Sequence, residues 1–235
     1  MQTEFGKPML LARWLAIIFA FVACSPERAQ AQSSGDDLKV YAVNVVKTPP
    51  FEKQFTGFGV YLGKGKVLTA AHVVGKWAII TQPRVLVAGL DLPATIVKEG
   101  SFESIDLTLL SIDESELPVT LKLRQNPLCK GPLVVGGNVV VVYPTRTVHS
   151  HIVSPLLIAP KFRAKYRALI DEPEGSGSGV FDVERRCLLG IISAKVPKYN
   201  YRKQKGPLIG TDSGYAGIFV PASVIADFVP PQFRF

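Results

Sequence analysis

Three short segments, widely spaced along the chain, hold the residues whose types suit covalent chemistry. They are Thr69-Ala70-Ala71-His72, Ile105-Asp106-Leu107 and Gly175-Ser176-Gly177-Ser178-Gly179. A serine hydroxyl is a weak nucleophile until an adjacent imidazole takes its proton. The imidazole does so efficiently when a buried carboxylate fixes its tautomer and supports the cation that forms. The chain has 3 histidines, and no other grouping around them offers a comparable set. Each residue also has a purely structural explanation: a core histidine, a turn acid at a strand start, a flexible Gly/Ser loop. Against these, five small residues leading directly into Val180-Phe181 suit a tight turn whose N–H groups converge. Ser178 is the competing nucleophile. Asp91 and Asp113, the rivals of Asp106, lack the apolar strand that follows it or fall in the next turn.

Positioning three such residues requires a framework, and the sequence reads as one built of strands. Gly57–Leu62 and Lys66–Thr69 form a hairpin pattern around Gly63-Lys64-Gly65. Further β-rich runs fall at Val40–Val46, Trp77–Thr81, Arg84–Ala88, Ala94–Val97 and Leu107–Ile112. After a mixed acidic, apolar and proline segment, Asp113–Pro127, a second set begins. It comprises Leu133–Val135, Gly137–Tyr143, His149–Leu157, Tyr166–Ile170, Val180–Val183, Cys187–Ala194 and Gly217–Val220. Only Ala222–Phe228 looks helical. With 18 prolines and 20 glycines spread through the chain, the expectation is an all-β fold of many short strands joined by turns.

Composition narrows the class further. At 235 residues, 47% hydrophobic and 20% charged, the chain can bury a sizeable core in one domain or two packed lobes. Residues 1–31 read as an export signal: Lys7 and Arg13, the ten-residue apolar run Trp14–Ala23, then Ala29-Gln30-Ala31 before the cut. That run is shorter than the roughly 20 residues a membrane-spanning helix needs. Phe21-Val22-Ala23-Cys24 offers a second exit, as a lipoprotein box with an atypical first residue. Either route leaves Cys129 and Cys187, an even pair suited to a disulfide in an oxidising compartment; two buried free thiols are the alternative. The net charge is +8, and the segment after residue 31 keeps +7, because Glu4 and Glu27 offset two of Lys7, Arg13 and Arg28. No nucleic-acid motif accompanies this excess, so solubility is its plain meaning.

The three segments together resemble the trypsin-like (chymotrypsin-fold) serine peptidases of the bacterial secreted type. Thr69–Val74 resembles their histidine segment, Asp106–Leu110 their aspartate segment, and Ser176-Gly177-Ser178-Gly179-Val180-Phe181 the serine segment of bacterial members and glutamyl endopeptidases. The resemblance runs in order from about Leu38 to Phe228. It implies two antiparallel six-stranded Greek-key β-barrels with a short C-terminal helix. Residues 32–120 would form the barrel carrying His72 and Asp106, and residues 121–235 the barrel carrying Ser176. It further implies a serine endopeptidase without a cofactor or metal, acting on protein or peptide, with contact to a membrane only through lipid at Cys24. Glu174, Gly175 and Ser176 would form the oxyanion hole. Ser193 would hydrogen-bond Asp106, and Ser193, Ala194 and Lys195 would line up the substrate as an added strand. Cys129 and Cys187 fall where relatives are bridged.

Two positions depart from that family pattern. Glu174 stands where relatives commonly carry glycine, and a carboxylate beside a developing oxyanion is unhelpful; one lost donor costs about 3 kcal/mol. Gly175 replaces the aspartate that pairs with a freshly cut N-terminus in animal digestive relatives, which argues against such activation. The alternative function is therefore a protease-fold peptide-binding protein with weak or no turnover. The basic run Lys195–Lys205 reads as a solvated loop, with selectivity for acidic side chains as its functional alternative. His149 and His151 share a strand face; they lack obvious co-ligands and read as structural or surface residues. Asp212-Ser213-Gly214 has only 22 residues after its serine and reads as a surface turn.

Overall fold

The structure is a computed structural model that describes residues 35–48, 54–75, 81–157, 169–171, 175–198 and 214–233. The export segment, Trp77 and the basic run beyond Lys198 therefore lie outside the described residues. So do Glu174, Asp212 and Ser213.

The first sheet contains β1 (Ala42–Lys47), β2 (Phe55–Gly63), β3 (Lys66–Thr69), β4 (Arg84–Val87), β5 (Leu90–Pro93), β6 (Thr95–Glu99) and β7 (Thr108–Ser111), in the order β5-β4-β1-β2-β3-β7-β6. All its pairings are antiparallel. The resemblance implied six strands; among the described residues seven are counted because one long strand is bent. β5 and β6 lie at opposite ends of the sheet order, yet Ala94 alone separates them in sequence. The Ala94 N–H leaves the ladder to donate to the Pro83 carbonyl at 2.8 Å. A strand that pairs with β4 before the bend and β7 after it curls the sheet upon itself.

The second sheet contains β8 (Asn138–Val142), β9 (Thr147–His151), β10 (Leu169–Asp171), β11 (Gly179–Asp182), β12 (Leu188–Pro197) and β13 (Tyr215–Pro221), in the order β10-β13-β12-β11-β8-β9. An antiparallel bridge between Ile152 and Ile170 joins its two ends. The architecture is thus mostly β, with two curled antiparallel sheets, in agreement with a chymotrypsin-like double barrel. Among the described residues the helices are short: α1 (Ala71–Val74), α2 (Val119–Lys122) and α3 (Ala222–Phe228). Three described segments differ from the strand reading: in the run His149–Leu157 the strand ends at His151, and Pro155–Leu157 forms a 3-10 turn with the Leu157 N–H on the Ser154 carbonyl. Asp36–Tyr41 forms a 3-10 helix, with the Leu38 N–H on the Gly35 carbonyl, so β1 begins at Ala42. Leu133–Val135 leaves the sheet, and its Val134 carbonyl closes a turn with the Gly137 N–H.

Strand alternation explains three buried clusters. Val43, Val45, Tyr61, Val67, Val85 and Leu110 fill the first barrel; Val139, Val141, Val180, Leu189 and Phe219 fill the second. Their neighbours one residue away, among them Leu68, Leu109, Val140, Val142, Phe181 and Ile191, form the layer shared by the two sheets. The uninterrupted valines of β8 are the sequence sign of a strand buried on both faces. Cys129 and Cys187 are disulfide-bonded, with Cα atoms 5.0 Å apart. The bridge ties the connection entering the second barrel to the start of β12, beside a parallel bridge from Leu128 to Leu188.

Candidate active site

Asp106 occupies the tip of a three-residue turn closed by the Leu107 N–H on the Ile105 carbonyl at 2.8 Å. A turn of this size just before β7 lets the carboxylate leave the strand alternation and point toward α1. Its side chain is 0% exposed. It accepts the His72 backbone N–H at 3.1 Å and contacts His72 Nδ1 at 2.9 Å through Oδ2 and 3.1 Å through Oδ1. Ser193 Oγ donates to Oδ2 at 2.5 Å. Burial alone would raise the Asp106 pKa. Hydrogen bonds from His72 and Ser193 and attraction to His72 outweigh it and hold the group below the ordinary carboxylate value. The carboxylate is thus ionised and accepts the Nδ1–H, which leaves Nε2 of the 32%-exposed ring as the basic nitrogen.

His72 sits in the single turn α1, closed at its end by the Gly75 N–H on the Ala71 carbonyl at 2.8 Å. Buried Lys47, 5% exposed at the end of β1, donates to the Val74 carbonyl in the same turn. Phe102 presents its ring edge-on to the imidazole, with centroids 5.5 Å apart. Neither Lys47 nor Phe102 was expected at the site. The signal for Lys47 was there: a lone charge closing a strand that otherwise reads Val43, Val45, Val46.

Ser176 lies in the turn before β11. The turn is held by Gly177 N–H on the Ile192 carbonyl at 2.8 Å and by Phe58 N–H on the Ser176 carbonyl at 3.1 Å, so both sheets grip it. Gly177 has φ +88°, and a Cβ there would fall 1.9 Å from the Phe58 carbonyl oxygen; only glycine fits. The two serines separate clearly. Ser178 is 0% exposed, and its hydroxyl has no partner among the described residues. Ser176 is half-buried and its Oγ donates to the Ser193 carbonyl at 3.5 Å. The Ser178 N–H turns back to the Gly175 carbonyl at 3.4 Å, whereas the Ser176 N–H has no backbone acceptor among the described residues. Of the three expected oxyanion-hole residues, Gly175 and Ser176 are therefore in view; Glu174 lies outside the described residues.

Ser193 links the two halves. The β12–β13 register shifts between Ile192 and Ala194, which leaves Ser193 as the extra residue of a bulge. A bulge re-aims a side chain. Here it turns the 2%-exposed Ser193 hydroxyl onto Asp106 while its carbonyl meets Ser176. Ala194 and Lys195 continue along β12, paired to β13 on one side. Among the described residues β11 pairs with β12 only over Leu188–Ile191, so this stretch has an unpaired edge toward the serine turn. The structure thus brings His72, Asp106, Ser176 and Ser193 together from segments far apart in sequence. His149 and His151 lie instead on β9, lining a cavity on the far side of Tyr143.

No family model matches the chain, and no curated protein matches it. Solved structures do. The active form of the Rv3671c protease from M. tuberculosis superposes with a TM-score of 0.58 at 17% identity, covering 85% of this chain and 84% of that one. The inactive Ser343Ala mutant of Rv3671c from M. tuberculosis H37Rv gives 0.57 at 18%, covering 84% and 90%. Deg5 gives 0.61 at 16%, covering 89% and 96%. At such identities the likeness is one of fold.

Proposed function

We propose that the chain is a serine endopeptidase. The observation carrying this reading is the fully buried Asp106 holding His72 Nδ1 at 2.9 Å while also accepting from Ser193. That arrangement has a cost in burying a carboxylate, and its chemical use is to support an imidazolium. In the proposed reaction, His72 Nε2 takes the Ser176 proton as Oγ attacks the peptide carbonyl. The oxyanion forms against the Ser176 N–H and its neighbours in the turn. His72 passes the proton to the departing amine as the C–N bond breaks, leaving an acyl-Ser176 ester. Water, deprotonated by the same imidazole, attacks the ester, and His72 returns the proton to Oγ. The fold shared with the Rv3671c protease supports the reading. Export through the segment 1–31, with cleavage after Ala31 or lipid on Cys24, belongs to the same proposal.

One observation favours a second reading, a peptide-binding module of protease fold. The Ser176 hydroxyl is bonded to the Ser193 carbonyl and not to His72. Covalent labelling by a fluorophosphonate separates the two. Labelling that maps to Ser176 and vanishes in Ser176→Ala, but persists in Ser178→Ala, supports the peptidase. A folded protein that takes no label is the binding module, and Glu174→Gly is then the variant to compare.

A further inference from the structure

The turn α1 carries His72, and three neighbouring segments hold it. The Asp106 carboxylate accepts the His72 N–H. On β2, Gly57 leaves room for Val73, because a Cβ there would fall onto the Val73 side chain. From β1, the Lys47 ammonium donates to the Val74 carbonyl. The same ammonium lies against the backbone of Gly75, which ends the turn with φ +63°; a Cβ on Gly75 would come within 3.1 Å of Nζ. The proposed reaction has a step for Asp106 and His72 and none for Lys47.

Filling space does not call for a charge at this position. Lys47 is 5% exposed and follows Val43 and Val45 on the face of β1 that fills the first barrel. Taking an ammonium out of water is costly unless its bonds are met. A methionine would fill a similar volume without that cost, but it could not donate. The last carbonyls of a helical turn have no partner within it, and Val74 is fully buried. Asp106 thus fixes the start of α1, and Lys47 fixes its end two residues beyond His72. The imidazole is held between a carboxylate that precedes β7 of its own sheet and a hydroxyl presented by the other sheet. Its Nε2 must meet Ser176 Oγ, and a displacement of about 1 Å in such a geometry costs about 10²-fold in rate.

We propose that Lys47 is a positioning residue for His72: its bond to the Val74 carbonyl holds α1 at the height from which Nε2 reaches Ser176. The effect on rate rests on the peptidase reading; the effect on the imidazole does not. The test uses the full processed chain and three variants. Lys47→Met removes the donor, and Lys47→Gln keeps a shorter one. Leu92→Ala cuts the core of the same barrel on β5, two strands away from β1 in the sheet order, as the control for lost stability. Each is measured where circular dichroism shows it folded. One readout is fluorophosphonate labelling, resolved into kinact and KI. The other is the low-field proton resonance of the His72 Nδ1–H held by Asp106, which needs no turnover. Lys47→Met should lower kinact by about 10–100-fold with KI within about twofold, and should shift or broaden the resonance. Lys47→Gln should fall between Lys47→Met and the parent, and it decides the matter if Lys47→Met does not fold. Leu92→Ala should keep the parent kinact and resonance. A parent-like kinact or an unchanged resonance in folded Lys47→Met overturns the proposal, as does an equal loss in Leu92→Ala. No label in any of the proteins, with a resonance that still depends on Lys47, sinks the peptidase and supports the positioning role.

Discussion

At the residue scale, the environment of each side chain predicts a distinct phenotype. Asp106→Asn keeps the shape of the buried group but favours the wrong imidazole tautomer; kcat should fall on the order of 10⁴-fold with the fold retained, read by labelling rate and peptide turnover. Asp106 also dictates an acid limit. Its folded pKa is lowered, so its contribution to stability is complete above the unfolded value and is lost as pH falls through the folded one. Urea midpoints measured from neutral pH downward should drop only below about pH 4, near the unfolded carboxylate value. Ser193→Ala removes one of the hydrogen bonds that lower that pKa, so the drop should be smaller and end at higher pH, with its onset still set by the unfolded value. An unchanged acid limb in this variant would sink the assignment. Ser178→Ala deletes a buried hydroxyl without a partner among the described residues and should leave stability unchanged or raise it by up to about 1 kcal/mol.

At the element scale, α1 is one turn long and has no propensity to stand alone. Its shape comes from contacts at both ends: the Asp106 carboxylate on the His72 N–H, and Lys47 on the Val74 carbonyl. Lys47→Met keeps the aliphatic stem and removes that donor. Thermal and urea unfolding should show a loss of about 1–3 kcal/mol, the scale of a buried acceptor left unmet. The bulge in β12 is the other decisive element, because without the extra residue Ser193 would follow the strand alternation and miss Asp106. The disulfide works on a third element, the connection into β8. Its loop spans a sequence separation of 58, for which chain entropy gives roughly 4 kcal/mol. The double variant Cys129→Ser with Cys187→Ser should unfold at correspondingly lower denaturant.

At the scale of the whole molecule, the two sheets share a buried layer as well as the serine turn. Phe181, completely buried, packs in that layer with Leu68 and Leu109 from one sheet and Ile191 from the other. Lys98 on β6 reaches across to the Phe228 carbonyl at the end of α3, at 2.7 Å. The described barrels should therefore unfold in a single calorimetric transition. Phe181→Ala should lower stability by about 3–5 kcal/mol without dividing that transition. Two separate transitions in the unaltered protein would contradict the shared core.

The strand-rich class, the Gly177 turn and the pairing of Cys129 with Cys187 were legible because each leaves a local mark: alternation, a glycine, an even count. The contacts of Lys47 and Phe102 were not, because their partners lie far along the chain and nothing local marks the meeting. The bend at Ala94 was not legible either: the sequence reads only Ala94–Val97 as a strand, and its continuation back through Leu90–Pro93 shows once both edges of the sheet are seen. Residue types and their order thus specify which groups are available for chemistry. Distance, burial and the aim of Ser193 depend on a bulge and a three-residue turn, and those follow from how two curled sheets pack, a property of the whole chain and of no single segment.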